Sequence, residues 1–105
     1  MGKFVFAYHD GQMADTPEAQ QASMQAWMGW FGELGAAVVD GGNPIGAAKT
    51  VNADGSVSDG AGSNPLGGYS IVTADSLDHA ATLAKGCPVL ANGGRVAVYE
   101  TFDVM

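Results

Sequence analysis

Ser58-Asp59-Gly60-Ala61-Gly62-Ser63-Asn64-Pro65-Leu66-Gly67-Gly68-Tyr69-Ser70-Ile71-Val72, followed by Asp75-Ser76-Leu77-Asp78 and Gly86-Cys87-Pro88, is the run that decides how this chain folds. It reads as an Asp-Gly turn, a tight Gly-Gly entry into a strand, a capped short helix and a Cys-Pro stop. The strand covers Tyr69 to Thr73. Asp75 is the expected helix cap, with Asp78 three residues on in a capping-box-like spacing. Leu77, Ala80, Ala81 and Ala84 form the apolar stripe of that helix. Lys85, Gly86 and Pro88 end it by charge, left-handed geometry and chain stiffness in turn. Arg95 to Thr101 alternates as a closing strand.

Working outward, Lys3 to Tyr8 places Phe4, Phe6 and Tyr8 on one side and Val5, Ala7 and His9 on the other, the period of a strand buried on both faces. Asp10-Gly11 ends it. Thr16-Pro17-Glu18 starts a helix: a side-chain cap, a proline at the first helical position and an acid beside the positive end. Trp27, Trp30, Phe31 and Leu34 follow helical spacing, Met24 and Met28 widen the stripe, and Gly35 closes it. Gly29 and Gly32 inside the helix cost about 1 kcal/mol each relative to alanine, so they are expected to serve close packing against a sheet or a partner. Ala36 to Asp40 is a short strand. Lys49 to Asn52 and Ser56 to Ser58 flank Ala53-Asp54-Gly55, a hairpin signal.

The order is β-α-β, a hairpin region, then β-α-β. Right-handed crossovers give an α+β fold, a ferredoxin-like βαββαβ sandwich with both helices on one sheet face. Several strands read apolar on both sides, so the open face needs a cover, and a homodimer packing sheet against sheet supplies one.

At 105 residues the chain is one domain, with an apolar fraction of 47% that is normal for a globular protein. The formal net charge is −7, with Lys3, Lys49, Lys85 and Arg95 as the only permanent cations. So few cations cannot neutralise a phosphate backbone, which argues against nucleic acid, anionic membranes and polyphosphate substrates. Cys87 is the single cysteine, so no internal disulfide and no cysteine-based zinc site forms within one chain. The N-terminal apolar run is too short for a signal peptide and no window approaches a membrane span, so the expected location is cytoplasmic. His9 and His79 have no metal-ligand spacing, and Gly60-Ala61-Gly62-Ser63 lacks a dinucleotide fingerprint, so neither metal nor cofactor is expected.

Taken together, Asp59-Gly60, Leu66-Gly67-Gly68-Tyr69, Asp75-Ser76-Leu77-Asp78 and Cys87-Pro88 resemble the YCII-related family, known also by its Asp-Gly-Pro-Phe motif. The resemblance spans nearly the whole chain and implies a dimeric α+β barrel. Here Ala61-Gly62 stand where the motif continues as Pro-Phe, as in a glycine-rich subgroup. Many members carry a histidine on the first helix, proposed to work with an aspartate. Counting back from Gly42-Asn43-Pro44 puts that position near Met24, and a thioether transfers no proton.

Two functions from different classes follow. In one, the chain binds a small apolar or aromatic metabolite, with Trp27, Trp30, Asn43 and Tyr69 as ligand contacts at the sheet. In the other, it is a cofactor-free lyase or isomerase in which His9 is the acid–base group and Asp40 or Asp59 orients it. Asp10 is a poor orienting partner for His9, because neighbours in a strand point to opposite faces. His79 reads as a surface residue and Cys87 as an inert thiol. Asn43-Pro44-Ile45-Gly46 and Asn64-Pro65-Leu66-Gly67 read either as two similar turns or as two asparagines lining one cleft.

Overall fold

A computed structural model describes residues 2–12 and 15–104. In chain order the elements are β1 (Gly2–His9), α1 (Pro17–Leu34), β2 (Val38–Asp40), β3 (Lys49–Val51), β4 (Val57–Asp59), β5 (Gly68–Ala74), α2 (Leu77–Ala84) and β6 (Arg95–Glu100). Four strands form one sheet in the order β2-β5-β1-β6, and β3 and β4 form a separate ribbon. Every paired neighbour is antiparallel. β5 therefore lies between the two strands that α1 connects, and α2 carries the chain on to the far edge. This is an α+β fold with the element order read from the sequence.

The register assigns the faces. Phe6 stands opposite Ser70 and Val98, and Phe4, Phe6, Tyr8, Val72 and Ala74 form one buried cluster with Trp30, Ala80, Ala84 and Val89. Trp27, Phe31, Leu34 and Leu83 pack against it. Val5 stands opposite both Ile71 and Tyr99, and Ala7 opposite Tyr69 and Ala97, so those residues make up the other face of the sheet. The extents of 44 × 41 × 18 Å are those of a flat slab. Its radius of gyration, 15.2 Å, exceeds the roughly 13 Å usual for a compact chain of this length.

α1 begins where expected: Thr16 is its cap, and its Oγ1 accepts from the Ala19 N–H at 3.1 Å. Gly35 ends it with φ 57°, donating its N–H to the Phe31 carbonyl. The chain then forms a short 3₁₀ turn over Gly35–Ala37, so β2 starts at Val38 rather than Ala36. A Cβ at Gly29 or Gly32 would meet nothing within 4 Å, so neither glycine serves packing of α1 on its own sheet. Met28 is exposed and does not widen the buried stripe.

α2 differs from expectation in three ways. Its cap is Ser76, whose Oγ accepts from the His79 N–H at 3.0 Å, while the Ser76 carbonyl takes the Ala80 N–H. His79 Nδ1 accepts from the Asp75 N–H at 3.0 Å, so Ser76 and His79 hold the reciprocal capping roles assigned to Asp75 and Asp78. Leu83 rather than Leu77 or Ala81 joins Ala80 and Ala84 on the core side. Gly86 is not left-handed; a Cβ there would come within 3.1 Å of the Trp30 ring. Its small size lets the indole approach. The hairpin turn forms as expected, with Gly55 at φ 89° donating its N–H to the Asn52 carbonyl. No described helix is long and apolar enough to cross a membrane.

Candidate functional site

Between α1 and one end of the sheet lies a cleft of about 570 Å³. One wall is aromatic and comes from two elements: Tyr8 at the end of β1, and Trp27, Phe31 and Met24 on α1. Tyr8 and Trp27 meet edge to face at 4.9 Å between centroids, and Trp27 lies 5.9 Å from Phe31, spacings within the favourable range for ring pairs. The helical repeat dictates this wall, because positions 24, 27 and 31 share one face of α1.

The opposite wall is backbone. Gly41-Gly42-Asn43-Pro44 and Gly67-Gly68-Tyr69 form two lips that bond to each other. Pro44 bridges to Gly68, Ile45 N–H donates to the Gly67 carbonyl at 3.0 Å, and Gly67 N–H donates to the Tyr8 carbonyl at 2.7 Å. Gly42 has φ 74°, and a Cβ there would stand 1.7 Å from the Tyr69 carbonyl oxygen. Only glycine fits that close approach.

A buried hydroxyl chain fixes the aromatic wall to this lip. Tyr8 donates to Ser70 Oγ at 2.7 Å, and Ser70 donates to the Gly41 carbonyl at 2.7 Å. Burial pushes the Tyr8 hydroxyl above its ordinary range, so it stays protonated at neutral pH and acts as a donor in that chain. Ser70 is fully buried on the core side of β5, where its hydroxyl is satisfied at both ends.

The residues singled out in the sequence separate into two groups. Trp27, Asn43 and Tyr69 all line the cleft. Trp30 does not; it is 4% exposed, its Nε1–H donates to the Leu83 carbonyl at 3.2 Å, and its ring lies 5.3–6.4 Å from those of Phe6, Tyr8, Trp27 and Phe31. It is core. Only one of the paired asparagines reaches the cleft: Asn43 lines it, whereas Asn64 Oδ1 accepts from Arg95. The two turns are similar, but they do not share a site.

The acid–base set is not assembled. His9 follows Tyr8 in the strand, so its ring projects from the other sheet face, away from Trp27. It is 4% exposed, and its Nδ1 lies 2.8 Å from the Pro65 carbonyl. A carbonyl only accepts, so Nδ1 carries a proton and donates it to Pro65. Nε2 is buried with no partner among the described residues. Asp40 accepts from the Gly42 N–H at 2.8 Å and shapes the lip turn. Asp59 pairs with Lys49 at 2.6 Å on the exposed ribbon. Neither orients His9. Asp10 is held by Arg95.

Cys87 is buried, and loss of solvation pushes its thiol up to about 11, which keeps it un-ionised and inert as expected. Among the described residues no three His, Cys, Asp or Glu side chains cluster as a metal site would require. Tyr8, Ser70 and Gly42 were missed as site residues. The signal for the lips was the pairing of Gly41-Gly42 and Gly67-Gly68 with Asn-Pro and Tyr, which marks close backbone approach.

The profile of the YCII-related domain matches residues 2–104. No curated protein matches the chain. Among solved structures, one similar fold is 5-chloro-2-hydroxyhydroquinone dehydrochlorinase (TftG) from Burkholderia phenoliruptrix AC1100, in complex with 2,5-dihydroxybenzoquinone. The likeness has a TM-score of 0.57 at 18% identity and covers 96% of this chain and 93% of that one.

Proposed function

The chain belongs to the family of YCII-related domains, and from that premise we propose that it is a soluble, cytoplasmic homodimer that binds a small aromatic metabolite in the cleft between α1 and the two glycine lips. The observation that carries this is the wall formed by Tyr8, Trp27 and Phe31 facing a backbone lip at Gly42, in a space of about 570 Å³. That volume lies in the range of small-molecule sites, and the mix of aromatic walls with a few amides is their usual lining. The structural neighbour was solved in complex with a small planar ring compound, 2,5-dihydroxybenzoquinone.

The test is a thermal-shift screen of small aromatic metabolites, run in parallel on Trp27→Ala. A ligand at a hundred times its Kd adds about 2.7 kcal/mol of stability, and that gain should vanish in Trp27→Ala while its fold persists. Hits that shift the variant equally would place the site elsewhere.

The dimer is proposed as a face-to-face α+β barrel of two ferredoxin-like sheets. Its support is the uncovered face, where Tyr99 is 53% and Val39 49% exposed beside Ile71 and Ala97. Wild-type protein should sediment as a dimer at micromolar concentration, and Tyr99→Lys as a monomer. A wild-type monomer removes this reading.

One observation favours a second reading, that of a cofactor-free lyase or isomerase. His9 is buried with its Nδ1 proton held by Pro65 and its Nε2 without a partner among the described residues, which leaves Nε2 as the nitrogen a general base would use. On this reading the substrate binds at the sheet face that carries His9 and not in the α1 cleft. Turnover should then survive Trp27→Ala and be abolished by His9→Gln; unchanged turnover in His9→Gln would set His9 aside.

A further inference from the structure

None of the described residues lining the cleft is an Asp, Glu, Lys, Arg or His; its polar members are neutral, among them Gln12, Ser23, Asn43 and Asn92. The chain has four permanent cations, and none of them lines it. Lys49 is paired with Asp59, and Arg95 is held between Asp10 and Asn64.

Several backbone donors of the lips are likewise committed within the fold. Gly42 N–H is given to Asp40, Gly67 N–H to the Tyr8 carbonyl, Ile45 N–H to Gly67, and Tyr69 N–H to Asn43. These four lip donors are spent inside the fold. The Tyr8 O–H is likewise committed to Ser70. A net charge of −7 adds a repulsive field around the mouth. A carboxylate moved here would leave water without a counter-charge.

We propose that the cleft selects neutral hydroxylated aromatics and rejects their carboxylate counterparts, with hydroxyl or carbonyl substituents met by the neutral amides of its rim. This rests on the reading that the cleft binds aromatic molecules at all. It separates the chain from a binder of acidic quinones: 2,5-dihydroxybenzoquinone is a vinylogous acid, ionised at neutral pH, and is expected to bind poorly.

The experiment is calorimetric titration of the wild-type protein with β-naphthol and with β-naphthoate at neutral pH, with 2,5-dihydroxybenzoquinone as a second anion, repeated on Asn43→Lys. Naphthol is expected to bind at least about a hundredfold more tightly than naphthoate, and Asn43→Lys to narrow that gap about tenfold or more by improving the anion. Equal affinities, or tighter binding of either anion, would overturn the selectivity while leaving the aromatic cleft standing. Binding of none of the three to wild-type protein would overturn the cleft reading and this proposal together.

Discussion

Trp30→Ala is expected to destabilise the fold by about 3–5 kcal/mol, the range for deleting a buried tryptophan, and to lower Tm by more than about 10 °C. The indole is 4% exposed and stands in ring contact with Phe6, Tyr8, Trp27 and Phe31 at 5.3–6.4 Å. Removing it opens a cavity at the junction of α1, β1 and the turn after α2, where Gly86 lies within van der Waals reach of the ring. It also deprives the Leu83 carbonyl of one donor. Against a total stability of about 5–15 kcal/mol for a domain of this size, the loss is a large share, and at the lower end of that range it approaches the whole. Trp30→Phe keeps most of the packing and should recover most of it. Chemical denaturation followed by circular dichroism measures both; a loss under about 1 kcal/mol for the alanine variant would show that Trp30 is not the keystone of the core. Trp27→Ala, by contrast, removes a half-buried ring and should strike ligand binding harder than folding.

Gly42→Ala is the second large effect, expected to cost about 2–4 kcal/mol and to abolish ligand binding. The added Cβ would stand 1.7 Å from the Tyr69 carbonyl oxygen and would sit on a backbone at φ 74°. No side-chain rearrangement relieves a clash with backbone, so the Gly41–Pro44 lip must shift. That shift loosens the bonds from Tyr69 N–H to the Asn43 carbonyl and from Ser70 Oγ to the Gly41 carbonyl. The neighbouring Gly41→Ala is the control, since a Cβ there meets nothing within 4 Å and its φ is not positive. It should stay within about 0.5 kcal/mol of wild type. If both variants behaved alike, the close approach at Gly42 would have no part in holding the lip.

The secondary structure was legible because its signals are local. Period-two aromatics over Phe4 to Tyr8, a Thr-Pro helix start and an Asp-Gly turn each specify a backbone state through residues a few positions apart. Where competing signals were adjacent, the local reading slipped by one position: Asp75 and Ser76 are both good caps, and the choice fell to Ser76, whose carbonyl accepts the first helical bond. Gly86 was read as a left-handed stop, yet its smallness answers to Trp30, 56 residues earlier in the chain. Glycine meets both needs, and sequence does not distinguish them.

The same limit divides the site. Trp27 and Trp30 share a helix and a spacing, so the sequence by itself determined that both face the sheet. Only the tertiary structure decided that Trp27 opens on a cleft while Trp30 is sealed by Leu83 and Gly86. Likewise, alternation put Tyr8 and His9 on opposite faces, but which face carries the helices is set by long-range strand register. That register turned Tyr8 toward α1 and His9 toward the uncovered face. It also left Asp40 in a lip turn and Asp59 on the ribbon, too far apart in role to serve one histidine. Periodicity depends on near neighbours and is written in the chain; enclosure depends on which distant segments meet, and only folding brings those together.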